Sequence, residues 1–144
     1  MSFAPYLNFD GHCTEAFDFY KDLFKGEIVH RSTFGEMPPH AKMPPLPPEA
    51  KDRVMHVHLQ VGPQALVGSD TLPGADACAG GYAKPQGIWV SIGVADMAEG
   101  QRVFNALAQG GQVAMPFEKT FWSAGFGMVT DRFGTPWMVN VATA

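Results

Sequence analysis

The chain has 144 residues, of which 46% are hydrophobic and 17% charged, with a formal net charge of -4 and a pI near 5.6. This balance is typical of one globular domain with its own core and excludes a wholly disordered chain. The ten Lys and Arg residues are scattered, no apolar run is long enough to span a membrane, and the N-terminus lacks a signal-peptide pattern, so we predict a cytoplasmic protein without nucleic-acid or membrane partners.

The first half of the chain changes its hydrophobic period in a fixed order. Residues 3–9 alternate, which predicts a strand with Phe3, Leu7 and Phe9 on one face. The three-and-four spacing that follows predicts an amphipathic helix, with Gly26 at its C-cap. The predicted elements are strands over 3–9, 27–34, 53–61 and 64–70 and a helix over 14–24.

The strand over 53–61 has one apolar and one largely polar face. Because side chains alternate along a strand, residues two apart share a face. One face carries Met55, Val57, Leu59 and Val61, and the other carries Val54, His56, His58 and Gln60. If the apolar face packs under a helix, the histidine-bearing face must lie on the opposite side of the sheet.

A proline-rich loop over residues 35–52 precedes that strand. It holds six of the twelve prolines, so neither a regular helix nor a central strand is expected there. One hypothesis is a lid or dimer arm that presents Met37, His40, Met43 and Leu46. The alternative is a polyproline ligand for another protein.

The second half repeats the order of the first. Residues 88–95 predict a strand, and Asp96 with Glu99 predicts a capped helix that ends at Gly110-Gly111. Asp131 and Gly134 predict the turn of a hairpin over 122–140. With residues 112–117 as a further strand, each half has the order strand, helix, strand, strand, strand. When Gly26 is aligned with Gly111, Phe19 is aligned with Phe104 and Leu23 with Ala108.

Three stretches resemble a known family. They are PYLNFDGHCTEAFDFYKDLFKGE at the start, VMHVHLQVG with LVGSD in the middle, and FWSAGFGMVTDRFGTPWMVN at the end. Together they resemble PhnB-like proteins of the glyoxalase/bleomycin-resistance/dioxygenase superfamily, also called vicinal oxygen chelate. The resemblance covers nearly the whole chain.

The resemblance implies an α+β fold of two βαβββ modules that form a cupped eight-stranded mixed sheet, commonly in a homodimer. We expect a single domain over 1–144, with module 1 over about 1–72, a connector over about 73–86 and module 2 over about 87–144. Whether the pocket is built within one chain or across two stays open.

Superfamily enzymes hold a divalent metal with His, Glu or Gln side chains from the first and last strands of each module. The first strands here offer Tyr6, Asn8, Trp89 and Ser91, and the last offer Leu66, Val67 and Gly68, then Trp137, Met138 and Val139. None of these is a good ligand for a divalent metal, and Met138 stands about where metal-dependent relatives carry Glu. We therefore predict no metal and no cofactor.

The remaining candidates form a ligand-binding set without a metal. His56 and His58 share a strand face, where they either line a solvated surface, bind a ligand or hold part of a metal site. Large aromatic side chains with polar edges suit small-molecule sites. The predicted ligand-binding residues are Tyr6, His56, His58, Gln60, Trp89 and Trp122.

The predicted function is metal-independent binding of a small molecule of unknown identity in a cupped pocket. The alternative is a metal-dependent isomerase, lyase or dioxygenase that uses His56 and His58. Cys13 and Cys78 are expected to be ordinary thiols, and Asp70 a turn former rather than an acid catalyst. No strand–turn–helix with the Gly-rich turn of a methyltransferase is found.

Overall fold

The structure is a computed structural model that describes residues 1–38, 46–73 and 81–142. These residues divide into two compact units, unit 1 over Met1–Ala83 and unit 2 over Lys84–Ala144. The division falls inside the predicted connector, while the single domain stays a prediction. No helix in the described ranges is long and apolar enough to cross a membrane.

Each unit contains four strands and one α-helix in the predicted βαβββ order. Unit 1 holds β1 (Tyr6–Phe9), α1 (Cys13–Phe24), β2 (Glu27–Thr33), β3 (Val54–Val61) and β4 (Gln64–Asp70), with short 3-10 turns at Phe34–Glu36 and Pro48–Ala50. Unit 2 holds β5 (Val90–Val94), α2 (Met97–Ala108), β6 (Gln112–Glu118), β7 (Gly125–Thr130) and β8 (Pro136–Val141).

The two units share one sheet topology. Unit 1 has the strand order β1-β4-β3-β2 and unit 2 the order β5-β8-β7-β6. In each sheet the first strand runs parallel to the last one, and the other neighbours are antiparallel. The predicted α+β class, the eight strands and the repeat are confirmed, as two four-stranded mixed sheets.

Helix α1 covers one face of the first sheet. Its buried side chains follow the predicted three-and-four spacing, and the strand residues they meet alternate as a half-buried sheet requires. The approach is close, because a Cβ on Gly68 of β4 would lie 2.7 Å from the Phe17 ring and from the Leu7 carbonyl. The core of unit 1 includes Leu7, Phe9, Ala16, Phe17, Tyr20, Leu23, Val57 and Leu59.

Helix α2 plays the same part in unit 2. Asp96 is its N-cap and accepts a 2.8 Å hydrogen bond from the Glu99 amide, as predicted. The Glu99 side chain pairs with Arg102, three residues later on the same helix. The core of unit 2 includes Val103, Phe104, Leu107, Val129, Trp137, Val139 and Val141.

The β7–β8 turn has the predicted chemistry. Oδ1 of Asp131 accepts hydrogen bonds from the amides of Phe133 and Thr135, and Oδ2 accepts one from the Trp137 indole. Gly134 adopts a φ of +93°, a conformation that favours glycine. One buried carboxylate therefore closes the turn and orients the largest core side chain of unit 2.

Several predicted details are wrong. Strand β1 begins at Tyr6 and leaves Phe3 91% exposed, and β5 begins at Val90 and leaves Ile88 exposed. Val54 is buried instead of sharing the histidine-bearing face, because an irregularity in the β2–β3 pairing falls beside it. Lys25, not Gly26, takes the left-handed conformation at the end of α1.

Gly26 has a packing role instead. A Cβ there would lie 2.7 Å from the Gln60 carbonyl oxygen, so glycine permits close approach to β3. The alignment of the repeat is also displaced by one residue. By burial, Tyr20 corresponds to Phe104 and Leu23 to Leu107. The two helices are therefore matched by their buried positions and not by aligning Gly26 with Gly111.

Asp70 ties three segments of unit 1 together. Its Oδ1 accepts hydrogen bonds from the amides of Gly11 and Cys13, at 2.8 and 3.0 Å. Its Oδ2 accepts one from the Val54 amide at 2.9 Å. The carboxylate is buried and joins the end of β4 to the start of α1 and of β3, which are distant in sequence.

We expect Asp70→Asn to lower the free energy of unfolding by about 1–3 kcal/mol, because the amide nitrogen would face the Val54 amide as a second donor. Urea denaturation followed by circular dichroism measures this. The control is Asp10→Asn, which affects an exposed ion pair with Arg53 and should cost less than about 1 kcal/mol. Equal losses for both variants would contradict the role of Asp70.

We expect Gly68→Ala to destabilise the protein by about 1–3 kcal/mol, because the new methyl group would overlap the Phe17 ring. Gly93→Ala is the matched strand control, since no described atom lies within 4 Å of its added Cβ. It should be neutral or stabilising by up to about 1 kcal/mol. Thermal unfolding of both variants tests the close helix–sheet contact.

Candidate functional site

A row of side chains crosses all four strands of the first sheet on the side opposite α1. Arg31 pairs with Asp18 of α1 and so marks the helix side of β2, which places its neighbours His30 and Ser32 on the other side. The row consists of Tyr6 on β1, Val67 on β4, His58 on β3 and His30 on β2, each opposite the next in register. We call this side, with Tyr6, His30, Ser32, His56, His58 and Gln60, the histidine face.

The His56 ring lies between two other rings of this face. Its centroid is 6.0 Å from that of Tyr6 and 5.8 Å from that of His30, with both pairs tilted. His56 is half-buried, whereas Tyr6 is 50% exposed. Three aromatic rings from three strands therefore form one cluster, in which each ring keeps a polar atom.

Ser32 lies opposite His56 in the pairing of β2 with β3. Its hydroxyl is buried and has no hydrogen-bond partner among the described residues. A buried hydroxyl without a partner costs about 1–3 kcal/mol, so such groups are rare in folded proteins. The histidine face thus holds an unsatisfied polar group next to its central imidazole.

His58 is held by a short relay along β3. Its Nε2 lies 2.9 Å from Oε1 of Gln60, and Nε2 of Gln60 donates a 2.9 Å hydrogen bond to the Gly62 carbonyl. Residues two apart on a strand project from the same face, which permits the first contact. The relay leaves the imidazole of His58 in a defined orientation.

Unit 2 carries a different set of side chains on the side of its sheet opposite α2. A Cβ on Gly127 would meet Phe104 of α2, so the neighbouring side chains Phe126 and Met128 project from the other side. The row there consists of Ser91 on β5, Met138 on β8, Met128 on β7 and Met115 on β6. Phe126 is buried, with the ring of Trp122 at 5.5 Å in a T-shaped contact.

The predicted ligand-binding residues divide between the units. Tyr6, His56, His58 and Gln60 lie together on the histidine face of unit 1. The other two, Trp89 and Trp122, are exposed residues of unit 2, and both lie outside its strands. The six residues therefore stay a prediction as a set, while four of them are neighbours on one sheet.

Sequence reasoning missed His30 and Ser32. The stretch 27–34 was predicted as a strand, and its alternation would have placed both residues on one face. Their position opposite His56 and His58 depends on the pairing register, which the sequence does not display. Of the predicted lid residues, Met37 and Leu46 are described, whereas His40 and Met43, like Cys78, lie outside the described residues.

The donor set does not fit the metal of the superfamily enzymes. The first and last strands place Tyr6 beside Val67 and Ser91 beside Met138, none of which is a good ligand for a divalent ion. Within the described ranges, no group of three or more His, Cys, Asp or Glu side chains is placed to hold a metal ion. His30, His56 and His58 of the histidine face therefore do not form a preformed metal centre among the described residues.

Cys13 is the one nucleophilic thiol in the described part of the chain, and it is not part of the histidine face. Its side chain is fully buried at the start of α1. Burial raises the pKa of the thiol far above its usual value, and the nearby Asp70 carboxylate raises this pKa further. The neutral thiol is a core group.

The topology of paired βαβββ units defines a protein of the glyoxalase and bleomycin-resistance fold. The family model described as 3-demethylubiquinone-9 3-methyltransferase matches residues 1–140, and the chain belongs to this family. It is 33% identical to protein YjdN of Escherichia coli (strain K12) over 98% of this chain and 95% of that protein.

Solved structures agree with this assignment. The crystal structure of protein PA1353 from Pseudomonas aeruginosa is 42% identical, with a TM-score of 0.85 over 100% of this chain and 99% of that chain. A PhnB protein from Bacillus cereus has a TM-score of 0.76 at 24% identity over 99% and 100% of the two chains. A glyoxalase-related enzyme from Fulvimarina pelagi, 16% identical, shares the fold with a TM-score of 0.61 over 99% and 89%. The resemblance to PhnB-like members of the vicinal oxygen chelate superfamily is therefore confirmed.

We expect iodoacetamide to leave Cys13 of the native protein unmodified, because alkylation needs an accessible thiolate. Peptide mass spectrometry of the Cys13 peptide measures this, with labelling in urea as the positive control. Labelling of Cys13 in the native protein at the rate seen in urea would contradict its assignment as a core group.

Proposed function

We propose that this protein binds a small organic molecule on the histidine face, through direct contacts with side chains and without a metal ion. The observation that carries the proposal is the cluster of Tyr6, His30 and His56 rings beside the unsatisfied hydroxyl of Ser32. Small-molecule sites combine aromatic walls with a few placed polar groups, and this cluster has both.

The burial pattern supports the proposal. On the opposite face of the same sheet, Leu7, Val57 and Leu59 are buried in the core with α1, whereas Tyr6, His56, His58 and Gln60 lie on the histidine face. His56, His58 and Gln60 are half-buried there and retain access for a ligand. A molecule with a hydrogen-bonding group near Ser32 would satisfy a buried hydroxyl that has no described partner.

A metal-dependent enzyme is the alternative that we place second. It would need a third good ligand beside His56 and His58, and His30 is the nearest candidate by ring contact. The described rings do not form a metal-holding group, so we derive no reaction step through a metal. Methyl transfer is also outside this proposal, because both described units lack the alternating strand–helix order that carries a Gly-rich cofactor turn.

The homodimer and the cytoplasmic location remain predictions. Exposed apolar side chains in unit 2 are compatible with a partner subunit, since large exposed apolar groups commonly mark interfaces. Phe121 is 97% exposed and Val113 on the edge strand β6 is 47% exposed.

We expect compounds from a set of small aromatic molecules, phenol and indole among them, to bind the wild-type protein and to bind His56→Ala at least about tenfold more weakly, a loss of about 1.4 kcal/mol. The loss follows because His56 is central to the ring cluster. Ligand-detected NMR finds the binders, and titration calorimetry measures the dissociation constants.

The control is His12→Ala, which removes an exposed imidazole that caps no helix amide. It should leave the affinity unchanged. Metal analysis of tag-free protein, with titration of nickel, zinc, manganese and iron in thermal-shift assays, tests the alternative. A stoichiometric metal that is lost in the His56→Ala, His58→Ala double variant would overturn the proposal in favour of an enzyme.

A further inference from the structure

The orientation of the Gln60 side chain determines which nitrogen of His58 carries a proton. The Gly62 carbonyl only accepts hydrogen bonds, so the Gln60 atom that faces it at 2.9 Å must be the amide nitrogen. The amide oxygen of Gln60 then faces Nε2 of His58 at 2.9 Å. Because this oxygen only accepts, Nε2 of His58 must carry the hydrogen.

A neutral imidazole has one N–H and one lone pair. With the hydrogen on Nε2, the lone pair of His58 is on Nδ1. Among the described residues no hydrogen bond involves this Nδ1, and it is not one of their buried polar atoms without a partner. Nδ1 is therefore an accessible hydrogen-bond acceptor.

We propose that Gln60 is a positioning residue that holds neutral His58 in the Nε2–H tautomer, so that the histidine face takes a molecule with a hydrogen-bond donor, such as a hydroxyl or an N–H, at Nδ1 of His58. The donor class rests on the proposed binding function, whereas the tautomer does not. Gly62 contributes to this orientation. Its carbonyl accepts from the Gln60 amide nitrogen and so prevents the flip that would exchange the amide nitrogen and oxygen of Gln60.

The surroundings of His58 fit a donor on an apolar or aromatic body. Its neighbour in register on β4 is Val67, and beyond Val67 lies Tyr6. On the other side its register neighbour is His30. Small-molecule sites usually combine apolar contacts with a few placed polar groups. A flat molecule with one donor group would therefore contact Val67 while its donor points to Nδ1 of His58.

The tautomer is measured by two-dimensional NMR of the histidine ring nitrogens in alkaline buffer, where imidazole is neutral. We expect a single Nε2–H tautomer for His58 in the wild type. Gln60→Met removes the acceptor and should give a mixture, whereas Gln60→Glu retains an acceptor and should retain the tautomer. The controls are the signals of His30 and His56 and the variant Gln64→Met on the exposed start of β4. An Nδ1–H tautomer, or no change in Gln60→Met, would overturn the role of Gln60.

The donor class is tested with phenol and anisole, which differ by the hydroxyl hydrogen. We expect phenol to shift the Nδ1 signal of His58 and to bind at least about tenfold tighter than anisole, with the difference reduced in Gln60→Met. Equal binding of the two probes would overturn the donor class. A third outcome separates the two parts of the proposal. If His58 shows the Nε2–H tautomer but neither phenol nor anisole shifts a ring signal of the histidine face, both the donor class and the proposed binding function are overturned. The role of Gln60 in holding the tautomer would still be supported.

Discussion

The constraint on which both units depend is that each sheet is covered by one helix on one side. The covering is tight, since a methyl group on Gly68 would overlap Phe17 and one on Gly127 would overlap Phe104. Because side chains alternate along a strand, the residues next to an apolar residue that packs against the helix project from the opposite face of the sheet. In β3, the burial of Val57 and Leu59 under α1 is what projects His56 and His58 from the histidine face.

Buried carboxylates hold this arrangement at the ends of the strands. Asp70 accepts three backbone hydrogen bonds in unit 1, and Asp131 accepts two backbone hydrogen bonds and one indole hydrogen bond in unit 2. Each satisfies groups that a tight turn or a strand end would otherwise leave unpaired. Although both are acidic residues in a family named for an enzyme, their geometry is that of structural acceptors.

The two units share a topology but differ in the chemistry opposite their helices. Unit 1 has imidazole and phenol groups there, while the corresponding row of unit 2 has three methionine side chains and one serine. Repeated modules share the pattern that the core requires, and the other face is free to differ because packing does not decide it. Along these two rows, hydrogen-bonding rings lie in unit 1 and flexible methionine side chains in unit 2.

The sequence by itself determined the elements and their order, because hydrophobic period, capping and turn chemistry are local. The helices, the Asp96 cap and the turn from Asp131 to Gly134 were all predictable in this way. Four residues of the candidate site, Tyr6, His56, His58 and Gln60, were also found from strand alternation. Only the tertiary structure placed His30 and Ser32 opposite β3 and moved Val54 into the core, because strand register and its irregularities arise from contacts between distant segments.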